Sequence, residues 1–427
     1  MPARTPACAT LRFLGGTRTV TGSRFLLDGP DPSTTGARFR LLVDCGMFQG
    51  RKELRLANWA PFPVPPASID AVVLTHAHID HSGYLPALGR NGFRGPIYAT
   101  PDTIELCRIL LADAAHLQEE DARHANRKGY SKHDPALPLF TNADAAAVMT
   151  QFRPVDYHVP RALVPDVTIT LQPAGHILGS ASVLAEVGRE PGRRVLISGD
   201  LGRSNHPLLR PAPDPPAADV ILVESTYGDR LHAPADTEIA ELVTAITDTA
   251  HRGGMVVIPA FAVDRTEVVL HTLSQLMSDG RIPHLPIHVD SPMALRVLDV
   301  YRRAADTADP QLRESAWRSI AFDPGQIHEC PTTQQSIELN ELTYPSIIIS
   351  ASGMATGGRV LHHLARLLPD PDNCVLLSGF QAPGTRGRSL ADGETTVKIF
   401  GHYVPVRADV HMIDGFSVHA DAAEITE

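Results

Sequence analysis

Asp70–Gly83 reads DAVVLTHAHIDHSG, an apolar strand-like run that ends in three histidines and an aspartate within six positions. The near-continuous hydrophobicity of DAVVLT is that of a strand covered on both faces. The histidine cluster therefore falls at a strand's C-terminal end, where layered α/β folds gather ligands. His76, His78, Asp80 and His81 are spaced too closely to share one helix face, and they can converge from a tight loop. Imidazole and carboxylate suit zinc, and hydrolytic zinc sites keep one position open for water. A bare HxH reads equally well as a hydrogen-bonded loop, whereas HxHxDH is a far more specific pattern.

The chain supplies partners for such a site. AGHILGS places His176 in a glycine-bracketed turn after an expected strand at Val167–Leu171, and LISGDLG places Asp200 after one at Arg193–Ser198. Taken singly, such a histidine is more often a loop anchor and such an aspartate a turn former. Both gain weight because each closes a strand, as the first cluster does. An aspartate between two divalent ions can bridge them, and a hydroxide shared between metals is a strong nucleophile. Asp44 closes another strand, in LLVDCGMFQG, and could orient a ligand histidine from behind, against the plainer reading as a turn residue.

With 427 residues, the chain exceeds the size at which one core usually keeps growing, so two domains are expected. No apolar run approaches the roughly 20 residues of a membrane span, and the N-terminus lacks the apolar region of a secretory signal. A cytoplasmic protein without a membrane partner is the default. Cys8, Cys45, Cys107, Cys330 and Cys374 show no paired spacing and suggest neither disulfides nor a thiolate zinc site. The formal charge of −10 argues against broad non-specific affinity for nucleic acid, but not against an enzyme whose site supplies local positive charge. Short strands with few intervening helices in the first half suggest mixed or antiparallel sheets. After Thr237, strands at Met255–Pro259, Ile287–Val289, Ser346–Ser350 and Val375–Ser378 alternate with helical patterns, which indicates a parallel α/β domain.

Asp44, HAHIDH, His176 and Asp200 resemble, in order, the metal-site motifs of the metallo-β-lactamase-fold hydrolases. VESTYGDR (Val223–Arg230), IPAFAVDR (Ile258–Arg265), SASGMATGGRVLHHL (Ser350–Leu364) and GFSVHAD (Gly415–Asp421) resemble the β-CASP branch, the nucleic-acid-processing group. The resemblance implies an α/β fold, an αββα metallo-β-lactamase sandwich with an inserted parallel α/β β-CASP domain. The lactamase domain would take residues 1–232 plus 405–427 and the cap 233–404, with the active site in the cleft between them. It further implies two zinc ions, one held by His76, His78 and His176, the other by Asp80 and His81, with Asp200 bridging. Glu224 and His419 would form an acid–base pair that protonates the departing sugar oxygen. In the family a later histidine also ligates the second metal. This sequence stops at Glu427 without one, and DAAEITE reads as the opening of a helix without an end, so a truncated sequence with a weakened second site is expected.

Phosphate grip would fall to the glycine-rich stretch before an expected helix at Gly358–Leu368, whose N-terminus favours anions, and to LSGFQAPGTRGR. The candidates are Arg265, Ser352, Gly353, Arg359, Ser378, Gln381, Arg386 and Arg388, although each arginine alone reads as readily as a solvent-facing residue. The expected function is phosphodiester hydrolysis of single-stranded RNA, with DNA as a second substrate class and a homodimer as an allowed assembly. Two alternatives stay open: a lactamase-fold hydrolase of small thioesters, lactones or phosphodiesters, and a non-catalytic RNA-binding subunit.

Overall fold

The computed structural model describes residues 9–30, 38–129, 131, 133–164, 166–188, 192–233, 235–319 and 327–427. Cys8 lies outside them, and Cys45, Cys107, Cys330 and Cys374 are buried free thiols. Six strands follow one another across the first sheet: β1 (Thr10–Gly15), β2 (Arg24–Pro30), β3 (Arg38–Val43), β4 (Ala71–Val73), β5 (Ile97–Ala99) and β6 (Phe152–Pro154). β1 to β3 are antiparallel and β3 to β6 parallel. The second sheet holds β7 (Arg161–Val164), β8 (Val167–Pro173), β9 (Ala181–Val187), β10 (Arg193–Ile197) and β11 (Val220–Leu222), antiparallel except for the parallel β10–β11 pair.

Strand periodicity explains how the two sheets meet. Leu41 and Val43 of β3 and Val73 of β4 pack into one core with Ile169, Leu171, Val183, Ala185, Val195 and Ile197 of the second sheet. Leu42 and Val72, which point the other way along the same strands, are also fully buried, so the centre of the first sheet is covered on both faces as its apolar runs require. This is the αββα sandwich implied by the motifs. The long helix Pro101–Lys128 has ordinary end signals: Thr100 accepts the Thr103 amide, proline stands at the first position, and Gly129 is left-handed at φ 65°.

A third, six-stranded sheet holds β12 (Val256–Pro259), β13 (Ile287–Val289), β14 (Ile327–Glu329), β15 (Ile347–Ser350), β16 (Cys374–Leu377) and β19 (Asp409–Met412). β17 (Thr396–Ile399) and β18 (His402–Pro405) form a separate hairpin. All pairs in the larger sheet are parallel, in the order β14-β13-β15-β12-β16-β19. β15 returns between β13 and β12, so the loops after these strands gather at one end of the sheet, where ligands bind in parallel α/β folds.

Contacts divide the chain into two compact units. Met1–Ser204, Pro211–Gly228 and Glu424–Glu427 form one, and Asn205–Arg210 with Asp229–Ala423 the other. The sequence expectation placed the breaks after residues 232 and 404. β19, which follows the second of those breaks, is hydrogen-bonded to β16 in the second unit.

Candidate metal centre

The site of the first unit is built where β4 ends. Beyond β4 the chain enters the short helix Ile79–Ser82, with His76 and His78 before it and Asp80 and His81 inside it. His78 Nδ1 lies 3.1 Å from His76 Nε2 and 3.2 Å from His176 Nε2. Asp200 Oδ2 stands 3.5 Å from His76 Nε2 and 3.6 Å from His176 Nε2. One ligand atom from each of these four residues lies within 4.8 Å of all the others. Several nitrogen lone pairs and a carboxylate converging on one point form the donor set that zinc takes. Asp80 precedes His81 in the same turn and does not join those four atoms.

The turn and the loop that present His176 and Asp200 are held from behind. The turn carrying His176 is closed by Ser180, whose hydroxyl accepts the His176 amide at 3.1 Å and the Ile177 amide at 3.2 Å. A Cβ on Gly202 would stand 1.7 Å from the Gly175 carbonyl, so glycine is required where the Asp200 loop meets the His176 turn. The Gly202 amide donates to Ala174 O at 2.9 Å, which ties the two loops together. Glu224, after β11, accepts the Leu201 amide at 2.5 Å and the Thr226 amide at 3.4 Å.

Asp44 is fully buried and organises the first cluster. It accepts the Thr75 amide and hydroxyl, each at 2.8 Å, and its Oδ2 lies 2.8 Å from His81 Nδ1. The Thr75 hydroxyl thus donates to Asp44, and its oxygen, 3.0 Å from His76 Nδ1, is free to accept that ring's proton. His76 Nε2 is then the lone pair facing the cluster. Burial first, and the neighbouring His81 second, hold the His76 pKa well below the ordinary imidazole range, so the ring is neutral. Burial also opposes charge on His81, but Asp200 and Asp44 outweigh it and raise its pKa well above the usual value. His81 Nε2 lies 3.2 Å from Asp200 Oδ1, so a carboxylate faces each ring nitrogen. Such a field favours a cation.

His419 belongs to the second unit, where its carbonyl lies 3.0 Å from His232 Nε2. The eight phosphate candidates also lie there, on the loops after β12, β15 and β16 and in the first turns of the helices that follow them. Most of their polar groups build those loops. Arg265 is buried and donates to Ser378 O, and Ser378 Oγ donates to Pro259 O at 2.8 Å. Arg359 donates to Asp290 Oδ1 at 2.7 Å and Cys330 O at 2.8 Å. Gln381 Nε2 joins Gly353 O at 3.1 Å to Gly379 O at 3.0 Å. Arg386 donates to Lys398 O at 2.7 Å and Thr356 O at 3.1 Å, Ser352 Oγ accepts the Thr356 amide at 3.0 Å, and exposed Arg388 pairs with Asp392 at 2.9 Å. Thr75 and Ser180 are the residues that sequence reasoning passes over. Both stood inside the quoted motifs, but a threonine ending a strand and a serine ending a turn carry no signal of their own.

Three families match the chain. The metallo-beta-lactamase superfamily covers residues 35–260, the Beta-Casp domain 266–390, and the Zn-dependent metallo-hydrolase RNA specificity domain 403–427. The chain is 38% identical to ribonuclease TTHA0252 of Thermus thermophilus over 414 residues, 97% of this chain and 89% of that protein. It is 31% identical to an RNase J-like protein of Methanocaldococcus jannaschii over 389 residues, covering 90% and 82%. It is 30% identical to the transcription termination factor FttA of Methanosarcina mazei over 430 residues, and spans 63% of that protein's length.

Proposed function

The chain belongs to the metallo-β-lactamase superfamily in its β-CASP branch, and on that footing we propose that it is a zinc-dependent hydrolase that cleaves the phosphodiester bonds of single-stranded RNA. The convergence of His76, His78, His176 and Asp200 is the observation that carries this reading. It argues against a purely RNA-binding subunit, which needs no such set of donors. The ribonuclease relative favours a polymeric phosphodiester over a small thioester or lactone.

His76, His78, His176 and Asp200 would hold one zinc ion, and Asp200 with His81 and Asp80 a second. When bound, zinc supplies an activated water at neutral pH and neutralises charge on the phosphoryl oxygens. The protein's own groups do the rest. Asp44 and Thr75 fix the rings of His81 and His76. Glu224 anchors the loop that presents Asp200. Glu224 and His419, assigned on their motifs, pass a proton to the departing sugar oxygen. Arg265, Ser352, Gly353, Arg359, Ser378, Gln381, Arg386 and Arg388 are proposed as the framework of loops that face the substrate backbone. Two zinc ions, RNA over DNA, and a homodimer are the finer parts of the proposal.

End-labelled RNA, matched DNA and a thioester, incubated with zinc-quantified protein, test the reading. RNA turnover that is lost in His78→Ala together with bound zinc is expected. RNA turnover in wild-type protein that survives unchanged in His78→Ala would overturn it.

A further inference from the structure

Arg24, the first residue of β2, is 3% exposed, and among the described residues no carboxylate pairs with it. Three rings surround its guanidinium, with centroids at 4.2 Å (Tyr84), 4.9 Å (Phe48) and 5.3 Å (Phe62). Its Nε and one terminal nitrogen both donate to the Gly46 carbonyl, at 2.9 and 2.7 Å. A buried guanidinium cannot shed its proton, and without a counter-ion it is costly. Here aromatic faces and one doubly engaged carbonyl are its compensation.

What Gly46 touches shows what this clamp serves. A Cβ at residue 46 would lie 1.5 Å from Asp80 O, so the segment runs directly against the turn that carries the metal-site residues. Three successive carbonyls of that turn are held by amides on either side of the clamp. Met47 N donates to Ile79 O at 2.9 Å, Ser23 N to Asp80 O at 2.9 Å and Cys45 N to His81 O at 2.7 Å. The Gly46 amide donates to Ser23 O at 3.0 Å, and Asn58 clips the Phe48 backbone through bonds of 2.9 and 2.8 Å.

We propose that Arg24 is a positioning residue for the metal site: its caged guanidinium fixes Gly46, and through the Cys45 and Met47 amides it fixes the His81 and Ile79 carbonyls on either side of Asp80. The inference rests on the metal reading above only for the ion. The clamp itself is a property of the chain. Met at position 24 would fill the cage but leave the Gly46 carbonyl without its donors. Lys would keep a charge while losing the planar double donor.

The test compares wild type, Arg24→Met, Arg24→Lys and Phe48→Leu, well below their melting temperatures. Zinc affinity is measured by competition with a chromophoric chelator, and exchange of the Cys45 and Met47 amides is followed in metal-free protein. Arg24→Met is expected to weaken zinc binding by about 10-fold or more, the scale seen when groups behind a ligand are lost. Its two amides should exchange correspondingly faster. Arg24→Lys and Phe48→Leu should fall between it and wild type, and they decide the matter if Arg24→Met does not fold. A residue needed only for stability would lower the melting temperature while leaving zinc affinity unchanged, and that result overturns the proposal, as do unaltered amide exchange rates. If wild-type protein takes up no zinc, the metal reading fails, and the exchange rates still report on the clamp.

Discussion

Glu224 accepts the backbone amide of Leu201 at 2.5 Å, so the carboxylate assigned to proton transfer also fastens the residue next to Asp200. The two roles separate by substitution. Glu224→Gln keeps an oxygen that can accept the amide, and is expected to retain zinc near the wild-type level while cleavage falls by about 10²-fold or more, the scale of general acid–base catalysis. Glu224→Ala leaves the amide unmet, at a cost of about 1 kcal/mol or more, and should also lose zinc. Metal analysis alongside RNA cleavage reads both. Equal zinc contents in the two variants would remove the anchoring role.

Asp44 makes a sharper prediction because its carboxylate has three donors or partners and no solvent. Asp44→Asn turns one acceptor oxygen into a donor, which faces the Thr75 amide if it replaces Oδ1, or both the Thr75 hydroxyl and the His81 ring if it replaces Oδ2. Losing a group behind a metal ligand typically costs 10- to 100-fold in affinity, and a drop of about that size is expected in chelator competition. Thr75→Val, which keeps the backbone amide bond and loses the hydroxyl, should weaken zinc by a smaller step. The opposite ranking would mean that Thr75, not Asp44, organises the rings.

His419→Ala should slow cleavage while zinc content stays near wild type. Zinc measured on the same preparation as the rate constant distinguishes this from a ligand role, in which both fall together.

These residues differ in how readable they are from sequence. Asp44, His76, His78, His176 and Asp200 could be singled out because each closes a strand and carries a metal-compatible side chain. Pairings such as that of Asp44 with His81, across 37 residues, needed the fold. The arginines show the limit most clearly. Arg359 spends its donors on Asp290 and on two carbonyls after β14, and nothing local distinguishes such a brace from a phosphate contact. Other elements were legible and yet stood outside the expected set. Pro292–Asp306 has Ser291 accepting the Ala294 amide, proline at its start and Leu295, Leu298 and Tyr301 buried, all ordinary helix signals. β2 is harder, since RFLLDGP is a brief apolar run that ends in glycine and proline.

Glu267 lies in the second unit, inside the helix Arg265–Ser278, with no exposed surface, and among the described residues no side chain hydrogen-bonds its carboxyl oxygens. Burial, and then the neighbouring Asp264, raise its pKa well above the ordinary carboxylate range, against the smaller opposing pull of the Glu267 and Asp264 backbone amides. Asp264 itself is occupied, with His206 Nε2 at 3.0 Å and the Tyr301 hydroxyl at 2.8 Å, so it offers Glu267 no relief. The folded state thus binds the Glu267 proton more tightly than the unfolded chain does. The stability this proton contributes is fully present below the unfolded value of about 4.3 and is lost as pH rises through the raised folded value. Glu267→Gln removes that dependence. Relative to wild type, the variant should gain stability steadily as pH rises from about 4.3, with a slope of at most about 1.4 kcal/mol per pH unit until the folded group ionises. Paired denaturant titrations at pH 5, 7 and 9 measure the difference, and a stability gap that does not change with pH would show that Glu267 ionises as freely in the folded protein as in the unfolded one.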